Sequence, residues 1–260
     1  GNTDNSYHVV TGAPDALLDG FTITAGYADG PAPDNWGGGI YNEKSNLLLM
    51  NVNIVGNFAH WGGGMANTDN SNAKLTNVTF HGNSASYYYG YGGGMFNNLN
   101  SHPELMNVTF SNNLADLGGG MNNYFDCNPS LTNVTFSDNT AGWGGGMYNK
   151  KSRPSLQNVT FTDNSANKGG GMYNDQSFPV ILNTILWGNT VTDTGHQIYN
   201  ENSSNPDLYY SIVQAGCPAD STCNHVINDY PLLSILGNYG GFTQTIPLYP
   251  GSAAIDAGDD

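Results

Sequence analysis

The chain has 260 residues, 35 of them glycine and 10% of them charged, and its 21 acidic side chains against 6 basic ones give a formal net charge of -15. Six cations (Lys44, Lys74, Lys150, Lys151, Arg153 and Lys168) are too few for the basic face that nucleic acid requires, and the acidic balance disfavours anionic lipid and polyanionic sugar unless calcium bridges the two. A hydrophobic content of 38% suits an elongated body with a thin central core, and no stretch approaches the ~18 consecutive apolar residues of a membrane span.

Residues 7–12, Tyr-His-Val-Val-Thr-Gly, look like the middle of a structural repeat, so residues 1–16 are expected to form a partial first coil. From residue 17 to 214 the chain repeats. A Gly-Gly-Gly-Ile/Met block begins at Gly37, Gly62, Gly92, Gly118, Gly144 and Gly169, at spacings of 25, 30, 26, 26 and 25 residues, and a degenerate copy starts at Gly195. Out of phase with it runs Leu-x-Asn-Val-x-Phe/Ile, at Leu49–Ile54, Leu75–Phe80, Leu105–Phe110, Leu131–Phe136 and Leu156–Phe161, with weaker copies on either side. Further asparagines recur at 57, 83, 113, 139, 164 and 189 and at 42, 67, 97, 123, 149, 174 and 200.

A fixed period of this length is the signature of a solenoid. The segments between asparagines are short, alternating and β-branched, with no helical periodicity. Asn tolerates the left-handed conformation at a bend. Three Asn positions per period therefore predict three corners and three short strands per coil: an all-β, right-handed parallel β-helix of about eight coils. Equivalent residues should stack ~4.8 Å apart, with Met65, Val78 and Phe80 inside, Thr79, Thr109, Thr135 and Thr160 outside, and the corner amides in ladders.

Residues 215–260 are expected to form a C-terminal capping region. Within it Cys217 and Cys223 enclose a short loop that a disulfide can close, the alternative being two free thiols; Cys127 is left over. A bridge would place the chain outside a reducing cytosol.

The Gly-Gly-Gly-Met-Tyr-Asn and Leu-Thr-Asn-Val-Thr-Phe-Ser-x-Asn motifs resemble the repeats of polymorphic outer-membrane-protein-type β-helices. The run from Asp229-Tyr-Pro-Leu-Leu through Asn238-Tyr-Gly-Gly-Phe-Thr to Leu248-Tyr-Pro-Gly-Ser-Ala-Ala-Ile-Asp-Ala-Gly258 is similar to the end of choice-of-anchor Q bacterial surface proteins. The resemblance implies a secreted or surface location and specifies no activity.

Two constellations stand out as candidate sites. The residue before each glycine triplet is Trp36, Trp61, Tyr91, Leu117, Trp143 or Lys168, and one coil adds Tyr87, Tyr88 and Tyr89. Facing solvent, these rings would form an aromatic strip for sugar rings or another subunit; folded back, they would complete the packing of the wall. Asp138 and Asp163 hold the same repeat position in adjacent coils, near the separation of retaining-glycosidase carboxylates, and with nearby carbonyls the pair could also bind calcium; the bland alternative is two solvated aspartates. Otherwise no cofactor is expected. The six histidines have no metal-ligand spacing. A glycine triplet in every coil is scaffold rather than a phosphate loop, and the Asn-Val-Thr sequons at 77, 107, 133 and 158 are read as incidental to the corners.

The expected function is a bacterial surface structural or adhesive protein whose partners are copies of itself, other surface proteins or glycans, with self-association into fibres or a layer. The alternatives are a β-helix polysaccharide lyase or glycoside hydrolase, resting on fold analogy alone, and a non-catalytic glycan-binding module.

Overall fold

The computed structural model describes residues 6–86, 89–255 and 257–258. They form an all-β parallel solenoid of about eight turns with three parallel sheets and, among the described residues, no helix. The first sheet has eight strands, one per coil, typified by Met95–Asn98. The second has thirteen strands and includes Lys74–His81, Glu104–Ser111, Ser130–Ser137 and Ser155–Thr162. The third has seven, typified by Leu114–Leu117.

Like residues lie over like throughout. Met65, Met95, Met121, Met147 and Met172 are in register in the first sheet, as are Leu75, Leu105, Leu131 and Leu156, then Phe80, Phe110, Phe136 and Phe161, in the second. The four phenylalanines stack with centroids 4.6–4.8 Å apart and rings within 7° of parallel. They are fully buried, with the Val78 and Met65 columns beside them. The flat stack depends on the opposing glycines. A Cβ on Gly94, Gly120 or Gly146 would lie 2.7 Å from a phenylalanine Cδ1 and 2.6 Å from the next coil's carbonyl oxygen.

The three asparagine columns do not make three corners. Only the Leu-x-Asn-Val column adopts the left-handed conformation, with φ of 54° to 57° at Asn51, Asn77, Asn107, Asn133 and Asn158. It forms an outer ladder, each amide donating to the coil before it at 3.0–3.2 Å. The other two columns lie inside. Asn57, Asn83, Asn113, Asn139 and Asn164 each donate to the next coil's Oδ1 at 2.8–3.0 Å, and the left-handed residue at that corner is the one before: Gly56, Gly82, Asn112, Asp138, Asp163 or Gly188. Asn42 and its counterparts sit within the first-sheet strands, fully buried as far as Asn174, and make a third ladder at 2.8–2.9 Å.

The remaining corner explains the uneven period. It holds one left-handed residue (Lys44, Lys151 or Gln176) or two in succession (Asp69 and Asn70, Leu99 and Asn100, Phe125 and Asp126, Asn202 and Ser203). Past this corner each coil supplies Ser45, Ser71, Ser101, Cys127, Ser152, Ser177 or Ser204. The hydroxyl accepts from the preceding coil's backbone N–H, for example Ser152 N to Ser177 Oγ at 3.1 Å. The longest period contains the 86–89 insertion, and the extra residue after Gly169 is absorbed by a register shift between Ala166 and Lys168.

At the C-terminal end the columns change character. Thr184 and Ser211 replace valines, the Gln197 side chain accepts from Asn189, and the Asn200 amide donates to Ala219 O at 2.8 Å. Ala219 lies in the loop closed by the Cys217–Cys223 disulfide, and Cys223 continues the leucine column over Leu208. Beyond residue 228, antiparallel bridges Leu233–Leu248 and Gly237–Thr245 form a separate segment. It lies along the flank of the second sheet: Tyr230 packs on Trp187, and Gln244 O accepts from Thr109 Oγ1 at 2.7 Å. The outward threonines are therefore not all in solvent, since Thr109 and Thr135 are buried.

Candidate functional site

The first glycine of each triplet has φ between 59° and 71°. The resulting turn folds the preceding residue back over the outer face of the first sheet. On that face stand the residues that follow Ile or Met in each coil: Tyr41, Ala66, Phe96, Asn122, Tyr148, Tyr173 and Tyr199. Trp36, Trp61 and Tyr91 pack on Tyr41, Ala66 and Phe96 as a cluster outside the main core. Trp36 meets Trp61 edge-on at 5.0 Å, Trp61 stacks on Tyr91 at 5.9 Å, and further along Trp143 stacks on Tyr173 at 5.4 Å.

Two aromatic layers result. The inner layer (Tyr41, Phe96, Tyr148, Tyr173) is buried although it points away from the core. Burial raises the phenol pKa values of Tyr41, to about 12, and of Tyr148 and Tyr173 beyond that, so these groups stay protonated at neutral pH. They pack and donate, Tyr41 to Glu43 at 3.1 Å and Tyr173 to Glu201. The outer layer is partly exposed, with Trp143 at 41% and Tyr89 at 71%. Solvent-facing and folded-back rings thus coexist. The inner layer escapes a reading of the sequence that stops at the glycine triplets; the signal is the aromatic residue directly after Ile or Met in five coils.

The outer rings frame one feature that can take a ligand. Tyr89 and Trp143 flank an open hollow of about 410 Å³ that is also lined by Asp116, Leu117 and Gly142. Tyr89 is held there by its carbonyl, which accepts from Trp61 Nε1 at 3.2 Å, and Asp116 accepts from Gly90 N at 2.6 Å. Two rings around an apolar floor with a carboxylate at the edge can hold the C–H face of a sugar or an apolar side chain. Tyr87 and Tyr88 lie outside the described residues.

Asp138 and Asp163 occupy the left-handed corner positions one residue past the Ser137–Thr162 pair. Each is engaged by the hydroxyl before it, Ser137 to Asp138 at 2.6 Å and Thr162 to Asp163 at 3.1 Å. The Asp163 pKa is raised, chiefly by partial burial and further by Asp138, against the lowering effect of Thr162. Among the described residues no group of three or more His, Cys, Asp or Glu side chains is placed to hold a metal. Cys127 is fully buried, and desolvation pushes its thiol up to about 12.

Residues 133–150 and 158–173 match the repeat of the Chlamydia polymorphic membrane protein family. Each matched stretch runs from the outer asparagine within a second-sheet strand through the inner asparagine and the glycine triplet. The likeness points to an outer-membrane or surface location in bacteria. No curated protein and no solved structure matches the chain.

Proposed function

We propose that the protein is a bacterial surface solenoid with an adhesive and structural role, and that the two-layered aromatic face is its contact surface. The observation that carries this reading is the hollow between Tyr89 and Trp143, where large rings stay exposed on an otherwise well-packed wall. Exposed aromatic patches on such a scaffold mark interaction sites. The repeat likeness supports a surface location, as does the similarity of 229–258 to the ends of choice-of-anchor Q proteins. The partner is another surface protein, a glycan or a second copy of the chain, and association of copies through this face would build a fibre or layer.

The test is retention of chain-coated beads on cell and glycan surfaces under flow, paired with sedimentation velocity over a range of concentration. Tyr89→Ala with Trp143→Ala should abolish retention or concentration-dependent association while leaving the melting temperature nearly unchanged. Full retention and unchanged association by that variant would remove the aromatic face from the function.

A further inference from the structure

Four of the six cations are matched. Lys44 pairs with Glu43 and Asp69, Lys74 with Glu104, Lys150 with Asp175, and Lys168 lies 3.8 Å from Asp193. Lys151 and Arg153 have no carboxylate within ion-pair distance among the described residues, in a chain with a net charge of -15. Both are exposed and both line one open groove of about 370 Å³ at the serine-column corner.

Each rests on a ring of an adjacent coil. The Lys151 ammonium sits 5.0 Å from the Phe125 centroid, on the coil before, and the Arg153 guanidinium sits 5.0 Å from the Phe178 centroid, on the coil after. A cation resting on a ring keeps its N–H groups for another acceptor. The groove is also lined by Asp126, Asn128 and Gln176. Asn128 Oδ1 is taken by Arg153 N at 2.6 Å, which leaves its amide N–H groups for a ligand.

We propose that this groove binds one sugar acid, a pyranose bearing a carboxylate, such as a hexuronate unit of an acidic glycan. The Arg153 fork and Lys151 match the carboxylate. Asp126 and the two amides match hydroxyls as acceptors and donors, and the Phe178 ring offers an apolar wall. Phosphate would use only the cations, and an acidic peptide would meet the Asp126 carboxylate without a hydroxyl to satisfy it. The overall negative charge opposes a long polyanion. It does not prevent local binding of a single unit, because exposed charges farther than about 8 Å are screened at physiological salt.

The site is tested by calorimetric and NMR titration of the intact chain with sodium galacturonate and glucuronate. Parallel arms use methyl galacturonate ester, galactose, inorganic phosphate and an oligo-aspartate peptide. A millimolar dissociation constant for a uronate is expected, weakened at least about tenfold by Arg153→Gln or Lys151→Gln, weakened by Asp126→Asn and unchanged by Lys44→Gln. The variants alter exposed side chains, and circular dichroism checks their fold. The proposal fails if neither uronate binds at tens of millimolar or if the double Lys151→Gln, Arg153→Gln variant binds as well as the parent. It fails equally if the ester, galactose, phosphate or the peptide binds as tightly as the uronate.

Discussion

Asn139 and Asn133 sit in the same strand-and-corner unit and belong to ladders with the same 25- to 30-residue repeat, yet different physics selects them. Asn133 is exposed, left-handed, and makes one amide bond to each neighbour's column. Asn139 is fully buried. Its Oδ1 accepts from both Asn113 N and Asn113 Nδ2, and its own amide reaches Phe110 O and Asn164 Oδ1. The outer asparagine is chosen for a backbone conformation, the inner one for hydrogen bonds where water is absent. A recurring residue in a solenoid therefore says where coils align, and its meaning comes from which side of the wall it faces.

The sharpest test is Asn139→Ala. It strands buried partners in two coils, and equilibrium urea unfolding should show a loss of about 5 kcal/mol; a loss below ~2 kcal/mol would erase the distinction. Reduction of Cys217–Cys223 probes how a ladder ends. Opening so short a loop should cost about 2 kcal/mol, and hydrogen exchange should rise in the last coil while the Phe110–Phe136 strands stay protected. Asn133→Ala removes exposed bonds and forces a Cβ-bearing residue without a polar side chain into the left-handed region, for about 1–2 kcal/mol. Asn133→Gly should recover most of that, and no recovery would mean that the outer ladder, rather than the backbone, is what matters. The smallest effect belongs to Cys127→Ser. It offers a hydroxyl where the serine column is interrupted, and thermal unfolding should show a gain of about 0.5–1 kcal/mol.

The stacking was legible because apolar residues recur at one phase. Leu75, Val78, Phe80 and Met65 with their counterparts could only form columns, and they do. The corners were less legible. Left-handed geometry is supplied in one coil by glycine, in the next by Asn112, then by Asp138 and Asp163, so no single residue type marks it. The serine column is harder to read because one or two left-handed residues precede it, which shifts its offset from the glycine triplet, and because one member is Cys127. Of the candidate residues, Trp36, Trp61, Tyr91 and Trp143 do line one face. The hollow at Tyr89 arises from an insertion that has no counterpart in other coils, and the Lys151–Arg153 groove depends on Phe125 and Phe178 from adjacent coils. Short sequence motifs carry neither arrangement.

Backbone and amide ladders alike run from coil to coil, along the rod. A pull between the two ends would load every coil interface in series, so the weakest interface yields first while the rest hold. One freed coil of 25 residues spans roughly 80 Å when drawn out, against the ~4.8 Å it occupies in the stack. A stack of this kind gives slack in discrete steps and dissipates work at each one. Under fluid drag such a rod would behave as a shock absorber.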